Sequence, residues 1–358
     1  MTTDEKIRML LDRARELDGE YNFQKIYQTV EHVRSDVAIE KLMENRSASD
    51  SSVLLQIVRE TGKYQRREET SLAMVNLLPF VKWSRNKVCY TFQEDVELLL
   101  AEQASDFMTG NTPFSLLDRL PLQSFFVSTN HLFKNEDHLW GYSDKELDEV
   151  KKDLTRIGFF FCVDEVYVPN MRNNFGIYWV YSDKKHKDCV TVPSYWNLTN
   201  TRHETLEDAL RHDVTRKMSI YETKSARRAD CLRAALAFQY VLYLCAENAE
   251  IEMDTNSYYR ETKAEFVKHK PREVRQMVAG RQTGILLREF KSKQLRYKSI
   301  ENADSGRVQS PHMRKAHWHR YWVGKRDSED RHMEIRWVAP TMIHKELQML
   351  VKPAKVVV

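Results

Sequence analysis

Apolar positions recur at helical spacing through the first part of the chain and at alternate positions towards its end. Ile7, Leu10, Leu11 and Ala14, then Ile26, Val30, Val33, Val37 and Leu42, predict helix over residues 1 to about 46. The Ser47–Ser52 stretch is a turn-forming break, after which Val53–Arg59 and Leu72–Val81 read as helices, with Pro79 expected to kink or end the second. Thr91-Phe92-Gln93-Glu94 fits a capping box opening a helix that carries Val96, Leu99 and Leu100. Gly110-Asn111-Thr112-Pro113 marks a boundary.

Beyond that boundary the period changes. Leu120–Ser128 reads as a strand, and Ser143-Asp144-Lys145-Glu146 as a second capping box for a helix on Leu147, Val150, Leu154 and Ile157 that stops at Gly158. Phe159–Val168, Gly176–Tyr181 and Cys189–Val192 are spaced as an antiparallel meander. Helices are predicted over Leu206 to about Met218 and Ala229–Glu247, the latter a buried spine carrying Leu232, Ala235, Leu236, Tyr240 and Leu244. A polar connection, Tyr258–Gln309, leads to two runs rich in aromatic and β-branched residues, Ser310–Gly324 and Met333–Pro340, which read as a β-hairpin. The expected class is α+β: a helical N-terminal part, residues 1–110, then residues 111–358 as a mixed, mainly antiparallel sheet backed by helices and ending in an aromatic and basic hairpin over 310–340.

Side chains alternate between the two faces of a strand. His317, His319 and Tyr321 therefore share one hairpin face, and Trp318, Arg320 and Trp322 the other. On the returning strand Met333, Ile335 and Trp337 oppose Glu334 and Arg336. One face is suited to a core, while the other carries titratable and cationic groups.

Charge sharpens this picture. The net charge of +4 is mild, but Arg281–Arg326 holds twelve Lys or Arg against three acids, so the basic character gathers near the C-terminal end. The five cysteines, Cys89, Cys162, Cys189, Cys231 and Cys245, form no C-x-x-C pair and lie among apolar neighbours, as buried thiols in a reducing cytoplasm do. Met1–Asp18 lacks the apolar core of a secretory leader. The longest apolar stretch, Leu232–Ala246, is interrupted by Arg233 and Gln239, so no membrane span is predicted. The expected location is cytoplasmic.

Three clusters have chemical potential. His312, His317 and His319, with His332, could serve as general acids and bases in a metal-free ribonuclease assisted by Glu334 or Tyr321, or simply brace the hairpin. Their spacing matches no zinc motif, so neither a metal nor a cofactor is expected. Trp318, Tyr321, Trp322 and Trp337, interleaved with Arg314, Lys315, Arg320 and Arg336, could stack on and neutralise RNA, or fill a core beneath a solvated cationic rim. Asp164, Glu165, Asp183 and Asp188 could collect a divalent ion, although their loose spacing better suits solvated turns. P-loop, G-x-G-x-x-G, G-x-S-x-G and H-E-x-x-H motifs are absent, which removes support for nucleotide hydrolysis and the common hydrolase chemistries.

Pro311-His312-Met313-Arg314-Lys315-Ala316-His317-Trp318-His319-Arg320-Tyr321-Trp322-Val323-Gly324, followed by Arg336-Trp337-Val338-Ala339-Pro340, resembles a family signature. It is similar to the P-H-x-R-R-small-H-W-H-x-Y-W-x-G run and the R-W-x-x-P strand of the second-described type V-A anti-CRISPR family. Lys315 stands where Arg is usual, and Ala316 where Gly can stand. Leu244–Ile251 resembles the same family's L-C-x-A-E-x-x-I segment, Gly158–Val168 and Gly176–Val192 its central strands, and Leu295–Ser299 its R-Y-x-S connection. The resemblance spans about residues 112 to 344 and leaves the helical N-terminus unmatched. It implies a protein of a mobile element, such as a phage or plasmid, that lowers production of a CRISPR effector nuclease. Such a protein recognises the nuclease's nascent N-terminal peptide and provokes loss of the message. Its partner would be that nascent peptide, or one of another host protein, with ribosome or RNA at the basic hairpin and no membrane. A binding module of a phage or plasmid assembly is the plainer alternative.

Overall fold

The computed structural model describes residues 1–35, 49–64, 66–104, 107, 110–129, 154–165, 173–183, 188–198, 205–216, 224–254, 273–289, 291, 312–328 and 331–343. Four helices come first: α1 (Thr3–Tyr21), α2 (Phe23–Ser35), α3 (Asp50–Glu60) and α4 (Arg67–Ser84). Helix α1 starts where the Thr2 hydroxyl accepts from the Glu5 N–H at 3.2 Å and the Glu5 carboxylate accepts from the Thr2 N–H at 2.7 Å. It stops at Asn22, whose φ of 54° turns the chain into α2. Ser49, inside the predicted break, caps α3 through reciprocal bonds with Ser52. Pro79 does not end α4, which continues to Ser84.

A seven-stranded sheet follows: β1 (Val88–Phe92), β2 (Ser124–Ser128), β3 (Leu154–Asp164), β4 (Asn174–Asp183), β5 (Asp188–Leu198), β6 (Ile251–Met253) and β7 (Arg275–Ala279). Its order is β5-β4-β3-β2-β1-β7-β6. The β1 pairings with β2 and β7 are parallel and the other four are antiparallel, so the sheet is mixed and mainly antiparallel as expected. Three local expectations change. Val88–Phe92, read within a helical region, is a central strand. Thr91 caps nothing: it is paired within β1, and its hydroxyl donates to the Met277 carbonyl at 3.3 Å, while α5 (Glu94–Ala104) starts beyond it. Leu154–Gly158 is strand rather than helix, because a bulge there lets the Gly158 backbone press against β2, where an added Cβ would lie 2.1 Å from the Val127 carbonyl oxygen. The Ser143 capping box lies outside the described residues.

Both sheet faces are apolar, as central strands covered on each side must be. Phe126, Phe160, Cys162, Tyr178 and Val180 face α1–α4. Phe125, Phe159, Phe161, Ile177 and Trp179 face α7 (Lys224–Cys245), with α6 (Leu206–Arg216), α5 and the C-terminal strands completing that core. Charges that enter the interior are partnered. Lys6 of α1, whose pKa burial lowers, donates to the Thr129 carbonyl at 3.1 Å, and Glu97 accepts from the Tyr240 hydroxyl at 2.9 Å.

The C-terminal strands are β8 (His312–Arg314), β9 (His317–Val323), β10 (His332–Val338) and β11 (Thr341–Ile343). β9 pairs with β10, and β8 with β11, in one continuous antiparallel register from His312 opposite Ile343 to Val323 opposite His332. The ladder breaks only at Lys315-Ala316 and Ala339-Pro340, where Pro340 supplies no N–H. The expected hairpin thus forms and extends to Ile343.

Candidate functional site

The hairpin lies against the C-terminal half of α7. Residues just beyond that helix clamp the outer edge of β10: the Glu247 N–H donates to the Ile335 carbonyl at 3.2 Å. The Asn248 side chain accepts from the Trp337 N–H at 3.1 Å and donates to its carbonyl at 2.9 Å. Ile335 (0% exposed) and Trp337 (3%) enter the core, where the Trp337 ring meets Tyr243 edge-on at 5.4 Å. Trp318 is half-buried beside them and its indole N–H donates to the Gln239 side chain at 2.7 Å. Arg320 on the same face donates to the Thr112 hydroxyl at 3.1 Å, and Thr112 donates onward to the buried Glu207 carboxylate at 2.5 Å. Trp322 leaves this pattern. It is 57% exposed at the hairpin tip, with the Arg331 guanidinium 4.6 Å from its ring centre.

The other face gathers polar groups as alternation predicts. Tyr321 lies between two carboxylates, donating its hydroxyl towards Glu247 and towards Glu334, the latter at 2.8 Å. Glu334 also accepts from Arg119 at 2.6 Å and from His332 at 3.0 Å. The Arg119 bond, followed by those from Tyr321 and His332, pulls the Glu334 pKa down to about 2. Arg336 donates to Glu247 at 2.6 Å, which lowers that carboxylate's pKa, and its guanidinium lies 4.8 Å from the Tyr321 ring centre. Burial, with the two carboxylate partners, pushes the Tyr321 hydroxyl up to about 12. His319 stacks on Tyr321 at 5.9 Å, and His317 Nδ1 lies 3.3 Å from the Lys315 carbonyl.

Hydrogen bonds and ion pairs hold this polar face in one arrangement. A general base needs a pKa near the working pH and a free lone pair. Glu334, with its pKa near 2 and three donors on its carboxylate, is a weak base and an anchor for Arg119, Tyr321 and His332. Among the described residues no group of three or more His, Cys, Asp or Glu could hold a metal ion. Asp164, one of the acids considered for a cation, instead accepts from the Ser51 N–H at 2.9 Å and its hydroxyl at 2.7 Å, pinning α3 to β3.

The structure unites His317, His319, Tyr321, Glu334 and Arg336 on one face, with Trp318, Arg320 and Trp337 on the other. His312 and Arg314 lie apart on β8. Arg119 and Glu247 are the residues the motif reading left out. Glu247 did belong to the Leu244–Ile251 segment, whereas Arg119 had no local signal. The basic run also divides. Arg288 and Lys291 pair with Asp95 at 3.4 and 2.6 Å, and Arg281 with Glu252 and Asp254. Among the described residues, the exposed Arg314, Lys315, Lys325 and Arg326 carry no ion pair; Arg314 and Lys315 leave the start of β9 cationic, while at the tip Asp327, Glu329 and Asp330 match Lys325, Arg326 and Arg331 in number.

The family model described as AcrVA2-like, anti-CRISPR type V subtype A2 family, matches residues 90–345. The chain belongs to this family. The matched span includes the last three residues of β1, the α7 clamp and the whole hairpin. The fold is similar to that in a structure titled "Crystal structure of AcrVA2", with a TM-score of 0.50 and 15% sequence identity over 93% of this chain and 98% of that one. No curated protein matches the chain. Among the described residues, no helix is long and apolar enough to cross a membrane.

Proposed function

We propose that this anti-CRISPR protein, encoded by a mobile element such as a phage, lowers production of a type V-A CRISPR effector nuclease in the cytoplasm. It recognises the nuclease's nascent N-terminal peptide and provokes loss of the mRNA. Membership of the family over residues 90–345 carries this reading. The hairpin supports it with a rigid binding surface in which Glu334 is locked by Arg119, Tyr321 and His332. Arg314, Lys315, His317, His319, Trp322 and Arg336 form the accessible part of that surface. Trp318, Arg320 and Trp337 hold it against α7 and its neighbours. The exposed Arg314 and Lys315 at the start of β9 suit contact with RNA of the translating ribosome.

Co-expression with a tagged type V-A nuclease tests the reading. Nuclease mRNA and protein should both fall several-fold with the wild-type chain, and recover with the His317→Ala/Trp322→Ala double variant at equal expression. Unchanged mRNA alongside inhibited nuclease activity would mean direct inhibition and would sink the proposal.

A further inference from the structure

The hairpin has one closed edge and one open edge. On β10 the backbone groups of Ile335 and Trp337 point away from β9, because the Ile335 carbonyl and both Trp337 groups bond to Glu247 and Asn248. Residues directly opposite in an antiparallel pair face each other or face away together. Trp318 opposite Trp337 and Arg320 opposite Ile335 therefore turn their backbone groups outward, and Trp322 opposite Met333 follows by alternation. Along β9 this leaves three N–H donors and three carbonyl acceptors in strand spacing. Among the described residues none has a backbone partner, since β9 pairs with β10 alone.

An open edge of this kind matches another backbone, since only an extended chain offers acceptors and donors in the same alternation. We infer that β9 is the peptide-docking edge, and that an extended peptide adds to the hairpin as a third strand against Trp318, Arg320 and Trp322. This rests on the peptide-recognition reading above and assigns it a place. The flanks set the preference. A peptide side chain on one side reaches the exposed Trp322 ring, and its neighbours reach His317 and His319. The exposed Arg314 and Lys315 ahead of β9 favour an acidic residue at that end of the peptide, while the mixed charges of the tip, Lys325, Arg326, Asp327, Glu329 and Asp330, set no sign there.

The test uses the full chain and a synthetic peptide of the type V-A effector's N-terminal segment, with two readouts. Hydrogen exchange should slow at the Trp318, Arg320 and Trp322 amides when the peptide binds, with far less change at His319 and Tyr321, which already face β10. Methylating peptide nitrogens one at a time should weaken binding about tenfold or more at alternate positions, since each outward-paired N–H is lost with added bulk. Binding without that alternation and without protection at β9 overturns the inference and leaves peptide recognition standing. An absence of peptide binding overturns both. Protection of the same amides by single-stranded RNA or by raising the protein concentration, in place of the peptide, reassigns the edge and also overturns the inference.

Discussion

Glu334 illustrates what single residues contribute. Its carboxyl is held at about 2 in the folded chain against an ordinary 4.5, chiefly by Arg119. A depressed carboxylate stabilises the fold above its unfolded pKa, and that stabilisation is lost as pH falls towards the folded value. The wild type should therefore be more stable than Arg119→Ala at pH 6, with the gap closing between about pH 4.5 and 2. Urea unfolding across that range measures it, and a constant gap would mean that Arg119 acts by packing alone. The cysteines make a second residue-scale case. Burial pushes Cys89, Cys162 and Cys245 up to about 12, and Cys189 is buried as well. Thiolate is the reactive form, so these four should resist iodoacetamide at pH 8 in the native protein and react once it is unfolded. Mass spectrometry counts the adducts, and rapid native labelling of Cys89 or Cys162 would contradict the packing around β1 and β3.

At the scale of elements, the hairpin depends on a clamp that belongs to another part of the chain. Asn248 replaces a missing neighbouring strand by bonding both backbone groups of Trp337. Asn248→Ala should cost about 1 kcal/mol, since two partly exposed bonds are exchanged for water, and should speed exchange of the Trp337 amide. Melting by urea together with exchange at that amide checks it; unchanged exchange would place the hold on β10 elsewhere. Elements with a strong period were legible in the sequence. The β3–β5 meander, the α7 spine and the alternation of β9 all lie close to their predicted places. β1 was hidden because five residues between two helices, Val88–Phe92, show neither alternation nor turn signals on both flanks. The helix expected through Leu154–Gly158 failed because those apolar positions fit either period, and Gly158 marks a close strand contact instead of a helix end. The polar site was half legible. Tyr321, Glu334 and Arg336 are neighbours across one hairpin, whereas Arg119 and Glu247 reach it only through folding.

At the scale of the whole molecule, the question is whether residues 1–110 and 111–358 can behave as separate units, as the change of period between them suggested. The contacts favour strong coupling. Leu10, Val58, Leu77 and Trp83 share a core with Phe126, Phe160 and Val180, and β1 stands between β2 and β7 at the centre of the sheet. A fragment starting at residue 111 would lose the partner of two strands and expose an aromatic sheet face to water. Exposed apolar faces of that extent drive association. The full chain should therefore unfold in one calorimetric transition, and the 111–358 fragment should aggregate or remain without cooperative unfolding. Two well-separated transitions, or a monomeric fragment with a cooperative melt, would show that the layers are independent. The family match begins at residue 90, inside β1, which agrees with coupling: the matched span takes in part of the strand that the sheet needs at its centre. The helical layer ahead of it then has a structural duty, covering the face opposite α7, whatever the hairpin binds.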